Sequence, residues 1–398
     1  MSREMNNEYD CFGKVPLYWD IKKIKNVFTI KSIKSNGVGN LLSVYLDKGV
    51  IPYSDSTGMQ VHKPSHDLSN YQVVNCGDFV LNNQQAWRGS VGVSKHNGII
   101  SPAYVIYEMN DECDPSYMGY LLRDMSMVQQ YELSSRGVGT IQRNIFVPWL
   151  KECLVLVPPF SEQHRIADFL DKKCSQIDEI SKKIHGEIEI LEEYKKSVIT
   201  EAVTKGLDPN EEMKDSGIEW IGEIPKEWKL DKGKYIFEYL EKPVKDSDGV
   251  ITCFRDGEVT LRANRRTEGF TESLQEIGYQ GIDVGDLIVH GMDGFAGSIG
   301  ISDSRGKASP VLNNLGTNQN KKYYMYFLRM MAWKGVFISL ATGIRVRTCD
   351  TNWGKLREIV YLLPPIEEQN RIAEFLDKRC AGLDWLINQK KEDRKSVV

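Results

Sequence analysis

No run of apolar residues in this 398-residue chain reaches the roughly 18 needed to cross a bilayer. The N-terminal stretch MSREMNNEYD is polar and lacks the apolar segment of a signal peptide, so a cytoplasmic protein is expected. Cysteine is sparse: eight residues, scattered singly from Cys11 to Cys380 with no Cys-x-x-Cys spacing. Neither a zinc site nor a disulfide framework is indicated by that pattern. There is no phosphate-binding loop, because Gly306-Lys307-Ala308 has neither the upstream glycine nor the hydroxyl the motif requires. Gly37-Val38-Gly39 and Gly137-Val138-Gly139 are too short for dinucleotide fingerprints. His62 and His66 flank Pro64, which denies them a shared helical face for a metal. With no nucleophile–base pair and no paired acids in a plausible pocket, the chain is expected to be non-catalytic and to bind no metal or cofactor.

Charge of one sign is also missing. The net charge of −4 excludes a uniformly basic coat but leaves local patches open. Acidic residues gather in one helical segment (Glu187, Glu189, Glu192, Glu193), whereas Arg262, Arg265, Arg266, Arg345 and Arg347 fall elsewhere. A basic cleft on an acidic frame is compatible with that distribution.

What the chain does have is a repeat. Pro158 to Asp178 (PPFSEQHRIADFLDKKCSQID) returns as Pro364 to Asp384 (PPIEEQNRIAEFLDKRCAGLD). Upstream, Phe12-Gly13-Lys14-Val15-Pro16 with Trp19 answers to Ile221-Gly222-Glu223-Ile224-Pro225 with Trp228. Gly77-Asp78 pairs with Gly285-Asp286, Gly89-Ser90 with Gly297-Ser298, and Ser101-Pro102 with Ser309-Pro310. A period this long means two domain-sized halves rather than a solenoid. Between the anchors the halves diverge: Asn82-Asn83-Gln84-Gln85-Ala86-Trp87-Arg88 stands where His290-Gly291-Met292-Asp293-Gly294-Phe295-Ala296 stands. Neutral drift would erode the helix together with the modules, yet the helix is the better kept.

Ser161 is placed to cap a helix running from about Ser161 to Thr204, before Gly206 and Pro209 stop it. Leu170, Ile177, Ile184, Leu191 and Val198 recur every seven residues, with Ile166, Ile180 and Tyr194 supplying much of the second seam position and Lys173 and Glu187 breaking it. At about 1.5 Å per residue the helix would span roughly 65 Å. The second copy offers Ile372, Leu376, Leu383 and Leu386, and is one heptad shorter, about 10 Å. Cys174 and Cys380 occupy equivalent positions and read as packing. Two such helices are expected to pair antiparallel, as a rod that sets a distance.

The modules, roughly 14–155 and 223–360, mix short strands with helices. Tyr71–Val74, Asp78–Leu81, Val91–Val93 and Tyr104–Tyr107 read as strands. A helix is expected from Pro115 to about Glu132, matched by Lys322–Trp333; glycine-rich loops follow at Ser135–Thr140 and Thr342–Arg347.

Two modules, each followed by PP-x-x-EQ-x-RIA-x-FLD, together with the lead-in Asp215–Pro225, resemble the DNA-specificity subunit of a type I restriction–modification system. The resemblance covers essentially the whole chain. It implies an α+β fold: two similar globular target-recognition domains joined by long antiparallel coiled-coil helices, with internal pseudo-two-fold symmetry. The expected divisions are 1–157, 158–208, 209–363 and 364–398. It further implies double-stranded DNA as ligand, two modification subunits, and restriction (translocase-nuclease) subunits as partners. S-adenosylmethionine, ATP and Mg2+ would be used by those partners. The Asn-Pro-Pro-Tyr/Phe pocket of an adenine methyltransferase is absent, the Pro-Pro pairs here following Val157 and Leu363.

Unlike modules on a two-fold frame would read unlike half-sites. Base readout in the major groove calls for Arg, Lys, Asn or Gln. Candidates in the first module are Asn82, Asn83, Gln84, Gln85, Arg88, Arg136, Gln142 and Arg143; in the second, Arg262, Asn264, Arg265, Arg266, Arg345 and Arg347. Two other readings stay open: a coiled-coil scaffold for protein or sugar ligands, and a silent cassette that exchanges modules by recombination.

Overall fold

The computed structural model describes residues 2–3, 12–56, 64–138, 142–265, 276–339 and 351–397. It divides into two compact units, Met1–Asp178 and Glu179–Val398, and the division falls inside one continuous helix.

Each unit is built round a four-stranded antiparallel sheet. In the first the order is Phe28–Lys31, Tyr104–Met109, Phe79–Asn82, Val91–Val93. In the second it is Glu238–Tyr239, Leu312–Gly316, Leu287–His290, Ile299–Ile301. The residues in these strands are equivalent by the repeat, so one sheet is made twice. Central strands are apolar on both faces because both faces are covered. Phe79 and Leu81 enter one core while Val80, between them, enters another. Leu287 and Val289 on one side, and Ile288 on the other, divide in the same way. Each such side chain contributes about 1.5–3 kcal/mol on burial. Four smaller two-stranded sheets also recur in both units, among them the hairpins Leu42–Tyr45 with Gly49–Pro52 and Ile251–Cys253 with Val259–Leu261.

The helix expected over 115–132 is broken. α1 spans Pro115–Leu121, and a second helix begins at Met125. Asp124 causes the break, its carboxylate accepting from the Ser126 N–H as a new N-cap. Ser135–Val138, expected to begin a glycine-rich loop, is instead β1 and pairs antiparallel with β2 (Gln142–Ile145) as a two-stranded ribbon; residues 139–140 of that expected loop lie outside the described residues. Its proposed counterpart, Thr342–Arg347, lies outside the described residues.

α2 runs Phe160–Lys205, 46 residues, close to the expected span. Ser161 sits within its first turn rather than capping it, since the Glu162 and Gln163 N–H groups already donate to the Pro159 carbonyl. The repeated Glu-Gln of the motif has a structural task. Gln163 is fully buried; its Oε1 accepts from the Asp114 N–H (2.8 Å), and its Nε2 donates to the carbonyls of Glu112 (2.9 Å) and Pro158 (2.8 Å). Asp114 is the N-cap of α1, so the glutamine joins the start of α2 to the start of the module's own helix. In the second unit the helices are α3 (Lys321–Trp333) and α4 (Ile366–Val397). Gln369 repeats the joint there, accepting from the Asn320 N–H (3.0 Å) and donating to the Pro364 carbonyl (2.9 Å) and the Gln319 side chain (2.8 Å). Glu162 and Glu368 accept from the indole N–H of Trp19 (3.2 Å) and Trp228 (2.8 Å).

Within the second unit, the end of α2 pairs antiparallel with α4. Lys195 meets Asp384 at 2.6 Å, Lys390 meets Glu187 at 2.7 Å, and Arg394 lies 3.4 Å from His185. Ile199, Ala202 and Val203 share a core with Ile372, Leu376 and Cys380. The seam keeps Ile184, Leu191 and Val198 half-buried, but its second position is Ile188, Lys195 and Ala202, one residue on from the expected phase. Glu187 and Tyr194 stand on its flank, with Arg379 stacked 5.7 Å from the Tyr194 ring. On α4, Ile387 is buried where Leu386 was expected, and Leu386 is exposed. Every residue from 171 to 180 is exposed, Ile177 and Ile180 included. Cys174 is likewise exposed while Cys380 is buried, so the two equivalent cysteines do not share a packing role.

Candidate nucleic-acid interface

In the first unit the structure gathers the sequence candidates into one region. The ribbon is tied to the loop over 82–88 by the Ile145 N–H, which donates to the Asn83 carbonyl at 3.0 Å. That loop turns where Asn82 Oδ1 accepts from the Gln84 N–H (3.0 Å) and the Trp87 indole donates to the Gln84 carbonyl (3.0 Å). It closes at Gly89, whose φ of 95° lies in the left-handed region that only glycine enters without strain. Gly297, φ 96°, closes the equivalent loop in the second unit. The repeat therefore preserved Gly89 and Gly297 for backbone reasons, leaving the residues between them free to differ.

Trp87 is the centre of the first loop. Arg88 stacks on it at 4.8 Å from guanidinium carbon to ring centroid, and Arg143 at 5.3 Å. Arg143 is also held by Glu132 at 3.1 Å. Arg136 lies 3.5 Å from the centre of the Phe146 ring and 4.3 Å from that of Trp149. Such cation–aromatic contacts contribute about 0.5–1 kcal/mol at exposed sites and fix the plane of the guanidinium. Asn83 Oδ1 is buried without a hydrogen-bond partner; Gln84 is exposed and Gln85 half-buried. Gln142 belongs to β2, and its side chain lies outside what is described.

The second unit is arranged otherwise. Arg262, Asn264 and Arg265 follow the hairpin strand Val259–Leu261. Arg262 Nε approaches Thr252 Oγ1 at 3.5 Å, and Asn264 donates to Thr260 Oγ1 at 2.8 Å. Arg265 is clasped by Asp256 and Glu258, both at 2.8 Å, and covers the Phe254 ring at 4.2 Å. The loop over 290–297 carries no cation of its own, and Arg255 comes to it by pairing with Asp293 at 2.9 Å. His290 Nδ1 accepts from the N–H groups of Met292 (3.2 Å) and Asp293 (3.1 Å). Arg266, Arg345 and Arg347 lie outside the described residues.

Residues the sequence reading missed are those that hold the others. Arg329 is half-buried on α3 and donates to the carbonyls of Gly257 (2.8 Å) and Ile299 (2.7 Å), fastening the hairpin turn. A Cβ on Gly257 would meet that guanidinium at 1.7 Å. Arg123 does the same for the first unit's hairpin through the Asp47 carbonyl (2.6 Å). Trp87, Phe146, Trp149 and Asn144 escaped notice too; the run Gln142-Arg143-Asn144-Ile145 has no apolar–polar alternation that would have placed Asn144 on a strand. Among the described residues, no cluster of three or more His, Cys, Asp or Glu side chains could hold a metal. No described helix is long and apolar enough to cross a membrane.

No family model matches the chain. It is 23% identical to a protein of Methanocaldococcus jannaschii provisionally named the type I restriction enzyme MjaX specificity subunit, over 99% of this chain and 93% of that protein. It is 24% identical to the type I restriction enzyme MjaVIII specificity subunit of the same organism, over 96% of this chain and 90% of the relative. Among solved structures, a chain from work on complex assembly and conformational transition of a type I R-M system superposes with a TM-score of 0.68 at 16% identity, covering 96% of this chain and 95% of the other. The HsdS subunit of Thermoanaerobacter tengcongensis superposes with a TM-score of 0.50 at 16% identity, over 96% of each chain. The resemblance drawn from the repeated motif is borne out along the whole length, and the fold is that of these subunits.

Proposed function

We propose that this chain is the DNA-recognition subunit of a type I restriction–modification complex, each module reading one half of a bipartite, asymmetric DNA site. One observation carries this reading: two sheets of the same strand order, fastened by the same glutamine joint, present unlike loops. Selection for one ligand at both ends would have kept the loops alike. Selection for two half-sites keeps the frame and varies what it presents. The exposed or half-buried Arg and Gln side chains around the ribbon suit a surface in which some groups hold phosphates and fix register while others meet base edges.

The reading heads are residues 1–157 and 209–363. Residues 158–208 and 364–398 form the helices that fix the unread spacer and dock two modification subunits. The chain is read as non-catalytic. Adenine methylation with S-adenosylmethionine belongs to the modification subunits, and ATP- and Mg2+-dependent translocation and cleavage to restriction subunits. The whole-length likeness to specificity subunits favours this over a scaffold for other ligands or a silent cassette.

The test is module exchange. Residues 229–357 are replaced by the corresponding module of a related subunit, and methylated adenines are mapped genome-wide. One half of the methylated motif should change while the other half and the spacer stay. A change in both halves would show that the modules do not read independently.

A further inference from the structure

Two of the five candidate arginines among the described residues are already engaged by acids. Arg143 is held by Glu132, and Arg265 by Asp256 and Glu258. Arg136 is exposed and, among the described residues, has no carboxylate within ion-pair distance. Its guanidinium rests instead on Phe146 and Trp149. Stacking fixes the plane of a guanidinium while leaving its in-plane N–H donors unspent. That is the state a bidentate donor should be in before it meets an acceptor pair, because little freedom remains to be lost on contact.

The ribbon register shows what stands beside it. In the antiparallel pairing of β1 with β2, Arg136 lies opposite Asn144 and Gly137 opposite Arg143. Directly opposed residues share a face, and successive residues alternate faces. The face of Gly137 and Arg143 turns to Trp87 and the module, as does Ile145, which is buried. The other face carries Arg136 and Asn144, both exposed. Opposed side chains begin about 4.5–5.5 Å apart, comparable to one or two base-pair steps of about 3.4 Å. A two-stranded β-ribbon fits the major groove, where Arg pairs with guanine O6 and N7 and Asn with adenine N6 and N7.

We infer that Arg136 and Asn144 are the base-reading pair of the first half-site, Arg136 taking a guanine and Asn144 an adenine one or two steps away. The inference rests on the DNA-recognition reading and deepens it: Asn144 becomes a specificity residue, and Phe146 and Trp149 become positioning residues.

The experiment maps methylated adenines in cells carrying the complete system with the unsubstituted chain, Arg136→Lys, Asn144→Ala or Trp149→Leu. Arg136→Lys keeps a cation for any phosphate but loses the flat, forked donor. It should relax one guanine position of the first half-site by roughly tenfold or more, with the second half-site unchanged. Asn144→Ala should relax a neighbouring adenine position, and Trp149→Leu should weaken the same guanine preference as Arg136→Lys. A first half-site read unaltered by Arg136→Lys would overturn the assignment. So would methylation that falls evenly at all sites with the motif kept, the signature of a phosphate contact. Both polar residues are exposed, so melting temperatures should match the unsubstituted protein. If Arg136→Lys nevertheless abolishes methylation everywhere, an intact motif in Asn144→Ala overturns the pair. Absence of any bipartite motif with the unsubstituted chain would instead remove the DNA-recognition reading itself.

Discussion

Beside the central sheet of the first module, Lys31 and Asp78 form a single ion pair 2.6 Å apart, each side chain about 6% exposed. In the second module the equivalent Asp286 takes Lys242 at 2.7 Å, and the pair opens into a network. Lys242 also reaches Asp283, Arg305 bridges Asp283 to Asp248, and Asn314 donates to Asp286. The network holds the Asp283 carboxyl down at about 2, through its hydrogen bonds from Lys242 and then Arg305. One backbone position thus accepts either an isolated pair or a distributed one. Geometry is the inherited quantity, and charge arrangement is what each module settles for itself.

The sharpest way to break this comparison is to remove the lysines. Lys31→Met leaves Asp78 buried without its only ionic partner among the described residues and should cost about 3–5 kcal/mol. Lys242→Met should cost clearly less, because Asp286 keeps Asn314 (2.9 Å) and Lys321 (3.6 Å). Urea unfolding of the two variants measures both losses; equal values would mean that the network adds nothing the pair lacks.

The joint offers a second, opposite expectation. Gln163→Leu and Gln369→Leu each strand buried main-chain groups and should each destabilise by about 2–4 kcal/mol. Here the two modules should respond alike. A markedly cheaper loss in one would show that the motif is kept there for some reason other than this joint.

The smallest effect concerns the loops. Asn82 Oδ1 accepts a loop N–H in the first module, while His290 Nδ1 does so in the second, which requires a neutral ring nitrogen. Burial pulls the His290 proton affinity below the ordinary 6.5, against the pull of Asp293 and with help from Arg255. The unfolded chain then binds the proton more readily. The stability this contributes is complete above about pH 6.5 and is lost as pH falls below it. Melting temperature should decline between pH 7 and 5, and less so in His290→Asn, which imports the first module's chemistry. An unchanged decline in that variant would place the titrating group elsewhere.

The repeat made the frame legible. Gly89 and Gly297, the PP-x-x-EQ segment and the paired tryptophans all mark places where backbone angles or buried donors allow few alternatives. The seam was half legible. A heptad stripe admits two choices for its second position, and only the partner helix decided for Ile188 and Ala202 over Glu187 and Tyr194. Glycines at 137 and 139 concealed the ribbon, because Gly137 sits in a strand opposite Arg143 rather than in a turn. The shelf under Arg136 was out of reach, since nothing in the spacing from Arg136 to Phe146 and Trp149 announces a stack. Candidate residues could be named by type, but their engagement by Glu132, Asp256 or Glu258 is a tertiary fact.

Gln163 addresses the N–H of residue 114 and the carbonyls of residues 112 and 158, all main-chain groups. The first copy of this socket thus grips only main chain and is blind to the identity of what is plugged into it, whereas Gln369 in the second also donates to the Gln319 side chain. Any inserted body with the same turn before its first helix meets the terms of that joint, whatever surface it offers to the outside. The two copies of the socket are themselves near-identical stretches, so the corresponding stretches of gene are natural crossover points.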